Sequence, residues 1–141
     1  MLKGISPCLS PELLKTLCEM GHADDILLAD AHFPGNTMGR RVVRADGLTV
    51  TQLLEAILPL FELEKADDAL AMMQPDARDG MNTDVETDFM AVVQKHSSRT
   101  AAPVRMARQA FYERARAAYV VVMTGELRPY GNLILKKGVT S

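Results

Sequence analysis

Basic charge is what this sequence most plainly lacks. Its 16 Lys and Arg face 18 Asp and Glu, for a formal net charge of −2 and a pI near 5.9. A protein built to hold nucleic acid or an anionic membrane surface carries the opposite excess, so a neutral small molecule is the better-fitting ligand. Cysteine is scarce: Cys8 and Cys18 stand alone, without a paired or metal-type spacing, so a disulfide framework or zinc site has no support and both read as small buried hydrophobes. Long apolar runs are missing too. Met1 to Pro7 lack the run of a signal peptide, and no later stretch approaches the about 20 apolar residues that span a bilayer. The expectation is a soluble, cytoplasmic protein. Tryptophan is absent and methionine abundant, and neither decides anything about function. What remains is 141 residues with 48% hydrophobic content, the size and composition of one domain, residues 1–141, with a buried core.

Local signals lay out alternating helices and strands. Ser10 suits an N-cap and Pro11 a first turn, Leu13, Leu17 and Met20 share a face, and Gly21 suits a left-handed stop. The short run Ile26 to Ala29 reads as a buried strand, followed by a Pro- and Gly-bearing loop from Ala31 to Gly39. Val42-Val43 begins a second strand. Thr49 with Gln52, and Thr83 with Glu86, form capping-box pairs that open two helices, the first limited by Pro59. Ala69 to Met73, Val104 to Met106, Tyr119 to Met123 and Leu133 to Leu135 complete the strands, and Arg108 to Ala118 the helices. This order predicts an α/β three-layer sandwich on a mostly parallel mixed sheet, its last strand antiparallel and next to Tyr119–Met123. Ligands in such folds sit beyond the carboxyl ends of strands. That selects Asp30, Arg105 with Arg108, and the region from Thr124 to Asn132.

The densest ionisable cluster is His22, Asp24, Asp25, Asp30 and His32, bracketing one buried strand. Four strand residues span roughly 13 Å, so His22 and Asp30 do not meet by adjacency. Either the chain folds His22 back, or the two serve different sites, joined across a subunit boundary. His22 reads as a general acid or base, or as a helix-terminal histidine that favours the negative end of the dipole. A carboxylate ending a buried strand, as at Asp30, is costly unless paired, used, or capping a turn. Asp30-x-His32 lacks a third metal ligand at a recognisable spacing, so no metal is expected. His96 reads as solvent-facing and Phe111 as core. Arg108 opposes the dipole at a helix start, and a polyol or carboxylate partner would explain it. Tyr130-Gly131-Asn132 offers hydrogen bonds to sugar hydroxyls, or else an ordinary turn.

Met20-Gly21-His22, Asp30-Ala31-His32-Phe33-Pro34, Arg44-Ala45-Asp46-Gly47-Leu48, Phe111-Tyr112-Glu113-Arg114-Ala115, Thr124-Gly125-Glu126 and Tyr130-Gly131-Asn132 stand in one order along the chain. In that order and spacing the sequence resembles the L-fucose mutarotases, in the family that also contains the D-ribose pyranases, and diverges mainly between Gln74 and Pro103. The resemblance implies a cofactor-free isomerase acting on L-fucose or a related monosaccharide. It also implies a homo-oligomer, a decameric ring with sites at subunit interfaces. It makes His22 the proton donor and lines the sugar site with Asp30, Arg108, Tyr130, Gly131 and Asn132. His32-Phe33 favours the fucose branch, since ribose-type members tend to carry Gly-Leu there and a histidine at the place of Arg108. A D-ribose pyranase and a non-catalytic sugar-binding or transport-accessory protein are the alternatives. A metal-dependent hydrolase is the outside one.

Overall fold

A computed structural model describes residues 1–141. Along the chain run α1 (Pro11–Glu19), β1 (Asp25–Ala29), α2 (Gly35–Met38), β2 (Val42–Ala45), α3 (Val50–Ile57), β3 (Leu70–Met73), α4 (Asp84–His96), β4 (Val104–Met106), α5 (Arg108–Ala117), β5 (Val120–Thr124) and β6 (Leu133–Lys136), with short 3-10 turns at Leu58–Leu60 and Ala77–Asp79. The strands form one six-stranded sheet in the order β2-β5-β1-β6-β3-β4. β5 pairs in parallel with β1 and β2, and β3 with β4, while β6 runs antiparallel to both β1 and β3. The last strand is therefore antiparallel, as expected, but its neighbours differ from the expected ones: β5 lies on the far side of β1.

Alternate residues along each strand point to opposite faces, and here both faces are covered. Ile26, Leu28, Val120, Val122, Leu133 and Leu135 join the larger core cluster with Leu13 and Leu17 of α1, Leu53, Leu54 and Ile57 of α3, and Phe89 and Val93 of α4. Leu27, Ala29, Val121, Met123, Ala71 and Ile134 join the smaller one with Phe33, and with Phe111 and Ala115 of α5. A three-layer sandwich results. Each fully buried Leu, Ile or Phe stabilises it by about 1.5–3 kcal/mol relative to exposure.

Several local expectations change. Gly21 is not left-handed: α1 ends at Met20 with extended backbone, Asp24 Oδ2 takes the Gly21 N–H at 2.7 Å, and Ala23 adopts φ 67°. The side chain of Asp24 thus makes the turn that a glycine stop was expected to make. The Ala31–Gly39 segment contains one helical turn, closed by the N–H groups of Met38 and Gly39 on the carbonyls of Pro34 and Gly35. At α4 Thr83 makes no side-chain cap; Asn82 Oδ1 accepts from Asp84 N at 2.9 Å instead, and Glu86 is drawn away to Arg105 at 3.1 Å. Cys18 is exposed and Cys8 half-buried, because Cys18 falls off the α1 face carrying Leu13 and Leu17. His96 is not solvent-facing: its side chain is 19% exposed and bonded to Glu55.

Candidate functional site

Five strands run one way and β6 the other, so the residue after β1 and the residue before β6 arrive at the same end of the sheet. Those residues are Asp30 and Asn132, 6% and 4% exposed. They hold each other reciprocally. The Asn132 Oδ1 accepts from Asp30 N at 2.8 Å, and the Asn132 Nδ2 donates to Asp30 Oδ2 at 2.9 Å. The other carboxylate oxygen accepts from His32 N at 2.9 Å. Burial pushes the Asp30 carboxyl above its ordinary value, opposed by the donors from His32 and Asn132. A partly desolvated carboxylate, fixed by backbone and carboxamide with lone pairs still open, is a good acceptor for hydroxyl groups.

A cleft of about 160 Å³ opens over this pair. Arg108, Tyr130 and His32 contribute to its polar side. Arg108 is the first residue of α5, exposed, and engaged in none of the chain's ion pairs, whereas Arg105, the other arginine selected at this end, is spent on Glu86 and on the carbonyl of Met73 at 3.0 Å. Arg105 is a structural residue. Tyr130 takes φ 58°; its hydroxyl accepts from Asp76 N at 3.1 Å and donates to the carboxylate of Asp79. Gly131 does not line the cleft. A Cβ there would lie 2.8 Å from Glu126 Cγ and 2.9 Å from the Arg128 carbonyl, so a glycine lets the chain pass between Tyr130 and Asn132. Glu126, 3% exposed, is held by Arg128 through contacts of 3.1 Å, and its carbonyl accepts from Ala31 N at 2.8 Å, which anchors the segment after β1.

His22 is elsewhere. It precedes β1 and therefore sits at the opposite end of the sheet, on the rim of a cleft of about 540 Å³ bounded by Leu17, Cys18, Leu60 and Lys137. Five strand residues separate the two ends, roughly 16 Å of backbone, so within one chain His22 and Asp30 do not share a site. The His22 Nε2 is bonded to the carboxylate of Glu64. A carboxylate only accepts, so Nε2 carries the proton and Nδ1 is the nitrogen left for exchange. The Lys65 backbone N–H first, and His22 second, hold the Glu64 carboxyl below its ordinary value. The rest of the ionisable cluster is structural: Asp24 makes the turn described above, and Asp25 takes both ends of the Arg114 guanidinium at 2.9 Å.

Sequence reasoning missed three things. Glu64 lies 42 positions from His22, and only the pairing of Leu63 with Lys137 brings its segment to the His22 end. Tyr112 lines the Asp30 cleft; its place four residues after Arg108 on one helix was the available signal. Phe33 and Met73 line the cleft as well; the first stood in the loop after the strand and the second at a strand end, and no polar signal marked either as part of a site.

Both the sequence and the fold have known relatives. Residues 3–140 match the profile of the RbsD / FucU transport protein family. The chain is similar to an L-fucose mutarotase of Glaesserella parasuis, 53% identical over 99% of this chain and 97% of that one. It is also similar to the crystal structure of the fucose mutarotase in complex with L-fucose from Streptococcus pneumoniae, with TM-score 0.94 and 38% identity over 99% and 100% of the two chains. Bacillus subtilis RbsD complexed with D-ribose shares the fold, with TM-score 0.74 over the full length of both chains, at 19% identity.

Proposed function

The chain belongs to the RbsD / FucU transport protein family, and we propose that within it the protein is an isomerase that interconverts the α and β anomers of L-fucose. The observation that carries this is identity of about half, 53%, sustained over 99% of the chain with an L-fucose mutarotase. The 19% identity to the ribose-bound RbsD structure bears on fold alone, so the fucose reading is favoured over the pyranase one. All 141 residues are read as one mutarotase domain of a cytoplasmic protein.

Anomerisation needs a proton delivered to the ring oxygen and another removed from the anomeric hydroxyl. The open aldehyde then recloses on its other face. Neither step needs an electron sink, and general acid–base catalysis contributes about 10²–10⁴-fold. In this reading His22 is the proton donor. With Nε2 held on Glu64, the ring works through Nδ1, and the Glu64 carboxylate offsets the charge of the imidazolium. Asp30 and Asn132 accept from and donate to sugar hydroxyls, Arg108 donates from the mouth of the cleft, and Gly131 keeps Tyr130 and Asn132 in place. Tyr130, its phenol proton directed at Asp79, assists the second proton transfer with its oxygen. Because His22 and Asp30 lie at opposite ends of β1, a complete site takes His22 from one subunit and Asp30 from its neighbour. This supports a homo-oligomer with sites at its interfaces, which we take to be a decameric ring.

The test is NMR magnetisation exchange between the anomeric protons of equilibrated L-fucose, with and without protein, and D-ribose alongside. Protein-dependent exchange for fucose that exceeds that for ribose is the expected result. Exchange at the protein-free rate would reduce the protein to a sugar binder, and a larger effect on ribose would make it a pyranase.

A further inference from the structure

We propose that Arg128 is a positioning residue: its guanidinium fixes the turn that carries Tyr130 and holds that tyrosine in a backbone conformation it would not otherwise keep. The proposal rests on the mutarotase reading, in which Tyr130 assists the second proton transfer, and adds to it what keeps Tyr130 in place.

The bonds of the turn define it. Gly131 N donates to the Arg128 carbonyl at 3.2 Å, which closes a four-residue β-turn, Arg128-Pro129-Tyr130-Gly131. Pro129 stands at its second position and fixes a negative φ there, while Tyr130 at the third has φ 58°. Among the common turns type II combines the two, and its third position favours glycine. Here a tyrosine occupies it. A side-chain-bearing residue stays in the left-handed region only where its surroundings over-determine it. At the tip of the side chain, the phenol is held by Asp76 N and the Asp79 carboxylate. The backbone is held from the first residue of the turn.

Arg128 reaches three elements of the fold. Its Nε and one Nη donate to the two oxygens of Glu126, each at 3.1 Å. The other Nη donates to Asp88 of α4 at 2.6 Å, and Thr51 of α3 lies at 3.5 Å. Glu126 is tied to the sheet in turn, its N–H donating to Thr124 Oγ1 at 3.1 Å. α3 and α4 cover one face of the sheet, whereas Tyr130 packs against the smaller core cluster on the other. The turn therefore crosses the end of the sheet, anchored on one layer and delivering its tyrosine to the other. A planar forked cation can serve carboxylates in two directions at once, which an ammonium cannot. Arg128 does not line the Asp30 cleft, and Asn132 has its own hold on Asp30. What depends on Arg128 is Tyr130.

Arg128→Lys keeps a charge beside the buried Glu126 and removes the fork. On L-fucose it is expected to lower kcat by roughly 10–10²-fold, the upper figure being the cost of a group displaced by about 1 Å. KM is expected to change by less than about 3-fold, because Asp30, Asn132 and Arg108 still bind the sugar. Added to Tyr130→Phe, the same change is expected to cost nothing further, since nothing is left for the anchor to position. Losses that multiply, a loss confined to KM, or a Tyr130→Phe variant at full rate would overturn the proposal. Asp88→Asn removes one surface anchor and leaves Glu126 paired, which covers the case of an Arg128→Lys protein that does not fold. Its kcat is expected to fall by about 2–5-fold, the usual worth of a partly exposed ion pair, and an unchanged kcat would count against the anchor. Hydrogen–deuterium exchange over residues 127–133 reads the turn without turnover. Deuterium uptake at the Gly131 N–H is expected to quicken by about 10-fold or more in Arg128→Lys, and equal uptake would overturn the proposal. A loosened turn in the variant, with a wild-type protein that leaves the anomers at the protein-free rate, would instead overturn the mutarotase reading and leave the anchor standing.

Discussion

At Asp30 a carboxylate is held with 6% of its surface exposed, and burial raises its pKa from the ordinary 3.8. The folded protein therefore binds this proton more tightly than the unfolded chain does. The stability that the group contributes is fully present below the ordinary carboxylate value and is lost as pH rises through the raised one. In the proposed mechanism activity runs the other way, since there the ionised form is the acceptor that orients hydroxyls. The exchange rate is expected to fall as pH drops through the raised value, on an acid limb that a rate-against-pH series would locate. Asp30→Asn puts an amide group where one acceptor oxygen faced His32 N–H or Asn132 Nδ2. It is expected to flatten that limb and to lower kcat/KM by roughly 10–100-fold, the equivalent of one hydrogen bond to a charged group; an acid limb unchanged in the variant would assign it to another residue. Asp30 and Arg108 were legible from the sequence because their cost there is local: a charge ending an apolar run, a cation at a helix start. Phe33 and Met73 were not, since an apolar side chain facing a ligand and one facing the core look the same in one dimension.

Two helix starts carry the same capping pattern and differ in what they do with it. At Thr49 both bonds form, Gln52 N to Thr49 Oγ1 at 3.2 Å and Thr49 N to Gln52 Oε1 at 2.9 Å. At Thr83 neither forms, because Arg105 on β4 claims Glu86. Thr49→Ala is expected to cost about 1 kcal/mol of unfolding free energy, and Thr83→Ala to leave it within about 0.5 kcal/mol, as is usual for a surface change that removes no cap. Urea denaturation of the two variants measures the difference, and equal losses would mean that α4 is capped through Thr83 in solution. The pair also shows why elements were readable while their ends were less so. The existence of α3 and α4 follows from the apolar period of Leu53, Leu54, Ile57 and of Phe89, Val92, Val93, but a polar side chain at a helix end is open to competition from any element that packs beside it. Arg105 was such a competitor, 19 positions away from Glu86.

Across the whole molecule, strand order was the least legible property. The final strand was readable as antiparallel, yet nothing near Leu133 in sequence says that it lies between β1 and β3 rather than beside β5. That placement delivers Asn132 to Asp30, 102 positions earlier, at the end of β1 away from His22. If the site is shared between subunits, two individually impaired variants should repair each other. His22→Ala is expected to bind L-fucose without exchanging it and Asp30→Asn to be slow as above. Subunits of the two, unfolded and refolded as a mixture, should regain activity at roughly a quarter of the sites by random pairing across a shared interface. A mixture no more active than its components would place each site within one chain. The interior position of β6 also bears on how the protein is made. Synthesis proceeds from Met1 onward, and β6 is the last of the six strands to leave the ribosome. Until it does, the β2-β5-β1 half and the β3-β4 half each present a bare inner edge to the cell. The strand that joins them also completes the pairing of Asn132 with Asp30, so the growing chain acquires its sheet and the cleft over that pair in a single late event.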